Sequence, residues 1–189
     1  AGMAADAFFV AFRIPNLLRR FFAEGSMVIS FVPVFTEYLK QKSKAEAYLL
    51  AHITLTILAL FLAVFTLLGV VFSPLVVKLI APGFSADPEK FNLTVLLNRI
   101  MFPYLFLISL GALAMGILNS LGHFAAPALA PVLLNVSMIA CALSLSRTVQ
   151  PVVGLALGVI VGGVLQLAIQ YPYLRRFGYR PKLVLAFGH

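Results

Sequence analysis

The sequence predicts an all-α integral membrane protein, a polytopic helix bundle of about five transmembrane helices. Its 189 residues are 62% hydrophobic and 11% charged, and the mean hydropathy is +1.04. Soluble domains are about half apolar and about a quarter charged, so this composition excludes a soluble domain. The apolar runs are continuous and lack the alternation of a transmembrane β-strand, so we expect helices rather than a barrel.

The first predicted segment runs from Asp6 to about Tyr38 and is too long for one straight crossing. As a single helix it would measure about 50 Å, against about 30 Å of hydrocarbon. Pro15 lacks a backbone donor and Gly25 loosens the chain, so we expect the helix to break near these two residues. The breaks would flank the arginine-rich stretch RIPNLLRRFFAEGS, residues 13 to 26.

Each of the later apolar segments is long enough to cross a bilayer once. They cover roughly residues 48 to 72, 95 to 118, 127 to 146 and 152 to 174. In the last segment Gly154, Gly158 and Gly162 recur every fourth residue, which predicts that a neighbouring backbone packs closely against this face. Prolines in or near the segments indicate irregular helices, which membrane proteins tolerate where protein or a wet cavity satisfies the freed carbonyls.

Basic residues at the ends of the segments predict the orientation of the bundle. One side receives those that follow the first and fifth segments: Lys40, Lys42, Lys44, Arg175, Arg176, Arg180 and Lys182. The other side receives Lys78, Lys90 and Arg147. The positive-inside rule then places the richer side in the cytoplasm and the N-terminus outside. Because the opening AGMAADAFF has no signal-peptide features, we expect a preceding helix in a longer protein.

Charged residues within the predicted spans are the candidate functional residues. A charge at the bilayer centre costs about 2.5 to 3.5 kcal/mol on insertion scales, so it usually faces a cavity or a partner. Arg13, Arg19 and Arg99 are the candidate cavity residues, and for Arg20 snorkelling to the lipid headgroups is an equally good interpretation. Guanidinium groups pair bidentately with phosphates, so a diphosphate is the ligand that this pattern favours.

Three polar residues in or near the same stretch are candidates for holding these arginines in position. Asp6 and Glu24 are the candidate countercharges, and Asn16 is a candidate hydrogen-bond donor beside them. With the arginines they predict a cationic cavity within the bundle.

The sequence gives little support for an enzyme, a metal-binding protein or a nucleic-acid-binding protein. His52, His123 and His189 are scattered, without a serine, cysteine or paired carboxylate at a recognised spacing, so we expect no catalytic residues, metal site or cofactor. The net charge of +8 lies mostly in flanks that anchor helices to anionic lipids, so nucleic acid is not an expected partner. Cys141 lies in an apolar run and is interpreted as a small core residue.

The stretch ADAFFVAFRIPNLLRRFFAEGSMVISFVPVFTEY closely resembles the second-helix signature of the lipid II flippase family (MurJ, also called MviN). That family belongs to the multidrug/oligosaccharidyl-lipid/polysaccharide exporter superfamily. Further stretches resemble the family in the same order: APGF, RIMFPYLFLISLGALAMGILNSLGHFAAPALAPVLLN and GGVLQLAIQYPYLRRFG.

The resemblance implies a membrane transporter of about fourteen helices in two lobes that works by alternating access. It would translocate undecaprenyl-diphosphate-linked peptidoglycan precursor (lipid II) across the bacterial inner membrane. Residues 1–189 would form one bundle, helices two to six of the N-terminal lobe, without the first helix and the C-terminal lobe. The implied partners are the precursor, membrane lipids and that missing lobe.

The resemblance also implies roles for individual residues. Asp6 falls on the acidic residue of the DAFF motif, and Arg19 on the arginine of NLLRR implicated in cavity function. Glu24 falls on the acid of AEG, and Arg13 and Arg99 occupy basic positions. A related exporter of drugs or polysaccharide-linked lipids from the same superfamily is the alternative interpretation.

Overall fold

A computed structural model describes residues 2–22, 26–147 and 151–181, without the side chains at 21, 22 and 26–28. The α-helices are Gly2–Phe22 (α1), Ser26–Gln41 (α2), Lys44–Val71 (α3), Ser73–Ile80 (α4), Pro88–Met101 (α5), Tyr104–Ser120 (α6), Ala125–Ser144 (α7) and Pro151–Arg176 (α8). A 3₁₀ helix covers Pro82–Ala86. The described residues contain no strand, and the predicted all-α membrane fold is confirmed.

The later predicted segments are confirmed as helical stretches. By length and composition, 4 stretches of the described residues could cross a membrane: Lys44–Val71, Pro88–Ser120, Ala125–Ser144 and Pro151–Arg176. The second of these stretches consists of α5 followed by α6. It begins earlier than the predicted residue 95 because Asp87 caps the start of α5. The Asp87 carboxylate accepts a hydrogen bond from the Lys90 backbone N–H at 3.3 Å.

The first predicted segment consists of two helices, α1 and α2, and is not among those four stretches. The expected break at Pro15 is wrong, because α1 continues through this buried residue to Phe22. A proline removes one backbone hydrogen bond, but a membrane helix can continue where neighbouring protein accommodates the freed carbonyl. The expected break at Gly25 lies outside the described residues, between the end of α1 and the start of α2.

The two predicted basic clusters lie at the same end of the bundle. The Tyr48 hydroxyl of α3 donates to the backbone carbonyl of Phe177 at 2.6 Å, which joins the start of α3 to the end of α8. We call this the basic end, defined by Lys40, Lys42, Lys44, Arg175, Arg176 and Arg180. Lys182 lies outside the described residues. At the opposite end, Lys90 contacts Asp6, so α1 and α2 connect the two ends.

The glycine face of α8 packs directly on the backbone of α7. A Cβ built on Gly158 would lie 2.5 Å from the Cα of Met138, and one on Gly154 or Gly162 would also meet the backbone of α7. The predicted close helix packing is therefore confirmed.

Helix α6 lies at the centre of the bundle and packs against α1, α2, α3 and α8. Helix α1 packs mainly on α5, and α7 mainly on α8. Two cavities result on different sides of α6: one that α1, α2, α7 and α8 help to line, and one between α3 and α8.

Candidate functional site: an arginine-lined cavity and the exposed face of α1

A cavity of about 330 Å³ lies where α1, α2, α6, α7 and α8 meet. Arg19 lines it and is the one charged residue among the described lining residues. Its other polar lining residues are Tyr104, Asn119, Gln166 and Gln170. The cavity therefore combines one guanidinium group with several uncharged polar groups inside a largely apolar bundle.

Helix α1 positions Arg19 at the border of its buried face. Ala7, Ala11 and Ile14 form that face and follow the helical repeat. The ring of Phe12 stacks on the ring of Tyr104 with 6.3 Å between centroids, which fixes α1 against α6. Arg19 is half-buried beside this packed face.

Two glutamines of α8 add polar groups to the lining of the cavity that Arg19 lines. The Gln166 Nε2 donates to the Ala130 carbonyl at 2.8 Å, and the Gln170 Nε2 donates to the Gly111 carbonyl at 3.3 Å. Their amide oxygens are buried and have no hydrogen-bond partner among the described residues. Buried polar oxygens in a cavity of this size are normally satisfied by water or by a ligand. The cavity is therefore suited to hydration.

The opposite face of α1 is exposed and carries charges. We call it the α1 stripe: Asp6, Phe9, Arg13, Leu17 and Arg20, each exposed and spaced three or four residues apart. This spacing places them on one face of the helix. Arg13 therefore lies on the stripe and does not line the cavity of Arg19.

The remaining predicted site residues lie elsewhere. The carboxylate of Asp6, whose expected role as countercharge to an arginine stays a prediction, pairs with the Lys90 ammonium at 3.2 Å. The reason is that α5 packs alongside α1 and brings Lys90 opposite Asp6. Asn16 is half-buried on α1, and Glu24 lies outside the described residues.

Arg99 is exposed, and its Nε donates to the Val70 carbonyl near the end of α3 at 3.2 Å. It does not line the arginine-lined cavity, and the buried face of α5 includes Leu97, Asn98 and Met101 instead. Of Arg13, Arg19 and Arg99, only Arg19 lines this cavity among the described residues. Their part in substrate binding stays a prediction.

Gln166 and Gln170, which line the same cavity as Arg19, were not among the predicted site residues. Gln166 and Gln170 are four residues apart in an apolar span, so they share a helix face. Polar side chains at such positions usually face the bundle interior or a wet cavity. That pattern was the available signal for these two residues.

The sequence matches the family model described as "Lipid II flippase MurJ" over residues 1–189. The chain belongs to the MurJ family. It is 45% identical over 186 residues to the lipid II flippase MurJ of Burkholderia cenocepacia, covering 98% of this chain and 36% of that protein. It is 44% identical over 192 residues to the probable lipid II flippase MurJ of Vibrio cholerae, covering 96% of this chain and 37% of that protein.

A solved structure titled "Lipid II flippase MurJ, inward closed conformation" has a similar fold. Its TM-score to this chain is 0.73 at 25% sequence identity, and the match covers 96% of this chain and 37% of that MurJ chain. This chain therefore spans about 36% of the length of the Burkholderia relative and 37% of the solved structure. It is a multi-pass membrane protein of the MurJ family.

Proposed function

We propose that this chain forms one wall of the translocation path of a lipid II flippase in the bacterial inner membrane. In this proposal it is the part of the N-terminal lobe made by helices two to six, and a second lobe of the same protein covers the α1 stripe. The observation that supports the proposal most directly is the exposure of Asp6, Arg13 and Arg20 on α1, which together with α2 connects the two ends of the bundle.

The depth of the arginines argues against a lipid-facing stripe. Arg13 and Arg20 lie about 10 Å and about 21 Å along α1 from Asp6, whose ion pair with Lys90 is at one end of the bundle. Arg20 is also not at the basic end, because the whole of α2 lies between the end of α1 and that end. Charges at this depth rarely face hydrocarbon and usually line a water-filled cavity. A second lobe facing the stripe would create that cavity.

The chemistry of the stripe fits a diphosphate headgroup. A guanidinium group can donate two parallel hydrogen bonds to phosphate oxygens, so Arg13 and Arg20 would hold the headgroup in the path. Arg19 lies on the adjacent face in a polar cavity, from which it adds positive potential. The polyprenyl tail stays in lipid while the two lobes expose the path first to one side and then to the other. Translocation of this kind makes and breaks no covalent bond.

The same architecture could belong to an exporter of drugs or polysaccharide-linked lipids. Membership of the MurJ family over residues 1–189 favours the peptidoglycan precursor. Competition separates the two substrates: unlabelled precursor should displace labelled precursor from the purified transporter, and cationic drugs should not.

Single substitutions in the complete transporter test the proposal. Purified protein is reconstituted into vesicles, and labelled precursor that reaches the far leaflet is cleaved by an enzyme that cannot cross the membrane. We expect Arg13→Ala and Arg20→Ala each to slow translocation at least about tenfold, because each removes a charge-assisted hydrogen bond that contributes about 1.5 to 3 kcal/mol. Arg19→Ala should slow it less, because Arg19 acts only through its positive potential. Arg147→Ala is the control, because Arg147 is an exposed arginine after α7 and far along the chain from α1. Undiminished translocation by both Arg13→Ala and Arg20→Ala would contradict the proposal.

A further inference from the structure

A second cavity, of about 370 Å³, lies between α3 and α8 over α6. Leu55 and Ala59 of α3, Leu110 and Leu113 of α6 and Leu167 of α8 are among its lining residues. Helices α3 and α8 each pack extensively on α6, and this cavity lies in the groove that they border. An apolar cavity of this kind does not hold water well.

The turn after α8 closes the groove at the basic end. Gly178 has a φ of 84°, and the backbone N–H groups of Gly178 and Tyr179 donate back to carbonyls of the last turn of α8. This left-handed end reverses the chain and lays Tyr179 against α3, where its ring stacks on His52 at 4.7 Å between centroids. Tyr179 and Pro181 thereby become part of the cavity wall.

The hydroxyl of Tyr179 is a buried polar group in the wall of this cavity. Tyr179 is 1% exposed, and its hydroxyl oxygen is buried without a hydrogen-bond partner among the described residues. Burial raises the pKa of this phenol, and the neighbouring Tyr48 raises it further, so the group remains a donor at neutral pH. A buried donor without a partner destabilises the protein, because its desolvation is not compensated. A ligand in the cavity that carries an acceptor oxygen would satisfy it.

Positive charge surrounds this mouth of the cavity. Arg180 is exposed and stands between Tyr179 and Pro181, which both line the cavity. The Lys44 ammonium lies beside the same turn, because a Cβ built on Gly178 would be 3.9 Å from its Nζ. Among the described residues, the acidic ones at this end are Glu37 and Glu46, both exposed, and the cluster that defines the basic end outnumbers them.

We propose that this groove binds an anionic phospholipid of the surrounding membrane. One acyl chain fills the apolar cavity, an ester or phosphate oxygen accepts the hydrogen bond of Tyr179, and the phosphate lies between Lys44 and Arg180. Basic pockets between transmembrane helices bind anionic lipid headgroups by this combination of charge and apolar contact. A neutral phospholipid would leave the excess positive charge uncompensated, and a free anion would leave the cavity empty. The site is separate from the arginine-lined cavity and does not depend on the proposed translocation.

Native mass spectrometry of the complete protein tests the proposal. The detergent-solubilised protein is titrated with dioleoylphosphatidylglycerol and, separately, with dioleoylphosphatidylcholine. We expect tighter binding of the anionic lipid, and we expect Tyr179→Phe and Arg180→Gln each to weaken it about fivefold. Ala59→Leu should weaken both lipids, because the added side chain occupies space needed by the acyl chain.

Matched variants separate a binding effect from a folding effect. Tyr173→Phe removes a hydroxyl from the same helix, but Tyr173 stacks on His123 and does not line the cavity, so binding should be unchanged. Tyr179→Phe removes a donor that has no partner among the described residues, so the lipid-free protein should unfold at the same or a higher temperature. Equal binding of the two phospholipids, or wild-type binding by Tyr179→Phe, would overturn the proposal. Displacement of phosphatidylglycerol by the peptidoglycan precursor would also overturn it, because the groove would then hold the substrate.

Discussion

Close packing of α7 and α8 should make the stability of the bundle sensitive to single methyl groups on α8. A Cβ at Gly158 would lie 2.5 Å from Met138 Cα and 2.8 Å from the Ser137 carbonyl oxygen, whereas ordinary contacts of a Cβ lie at 3.4–4 Å. Both neighbours are backbone atoms and cannot rotate away. Gly158→Ala therefore forces the two helices apart by about 1 Å, which loses packing along the whole pair.

The expected loss of stability follows from two opposing effects. Overpacking a close interface costs about 1 to 3 kcal/mol, and replacing a helical glycine by alanine returns up to about 1 kcal/mol of helix propensity. We expect a net loss of about 1 to 2 kcal/mol for Gly158→Ala. The loss should be smaller for Gly154→Ala, where the nearest backbone atom is 3.1 Å from the built Cβ.

The assay is reversible unfolding of the reconstituted protein in a denaturing detergent, followed by circular dichroism. Gly111→Ala is the control, because a Cβ there meets only the Gln170 side chain, at 3.8 Å. It should leave stability unchanged or raise it slightly. If Gly158→Ala proved as stable as Gly111→Ala, the backbone contact between α7 and α8 could not be as close as described.

The remaining predictions concern polar contacts at other depths of the bundle. Asn98→Ala should lower the free energy of unfolding by about 1 kcal/mol, because the buried Asn98 amide donates to the Ser73 hydroxyl at 2.5 Å. A double-mutant cycle with Ser73→Ala measures the coupling between the two residues, and additive effects would refute it. Asp6→Asn should lower the free energy of unfolding by less than about 1 kcal/mol, because the carboxylate is 55% exposed in its pair with Lys90. The difference in stability from the wild type should vanish in high salt. Tyr48→Phe should lower the free energy of unfolding by about 1 kcal/mol, because it removes the hydrogen bond from the Tyr48 hydroxyl that joins α3 to the turn after α8. Hydrogen exchange in that turn should become faster, and unchanged exchange would argue against this hydrogen bond.

The membrane-spanning segments could be predicted because hydropathy is a local property of the chain. Lys44–Val71 and Ala125–Ser144 lie close to the predicted ranges for this reason. Helix α4 and the following 3₁₀ helix were not predicted, since pieces of 8 and 5 residues are too short to give a clear periodic signal. Pro15 was misread because the rule for breaking helices weakens where protein surrounds the helix.

The candidate site was predictable only in part, because it depends on which helices become neighbours. The sequence singled out Arg19 by the cost of a charge in the membrane, and the structure places it in a cavity. It could not reveal that Asp6 meets Lys90, since the two are 84 residues apart. Nor could it show that Arg13 and Arg19 face different sides of α1, because that required knowing that α1 stays helical through Pro15.

The central claim is that the α1 stripe faces water at membrane depth. Leu17 is a stripe residue that is 50% exposed, and Leu60 on α3 is 49% exposed and lies 14 residues from the nearest charged residue of its helix, Glu46. In the complete transporter with Cys141→Ala, Leu17→Cys and Leu60→Cys are treated with a membrane-impermeant maleimide, with and without added precursor. We predict that only the cysteine at position 17 reacts and that the precursor slows its reaction. Equal inertness of both thiols would place the stripe against lipid or protein and would contradict the account.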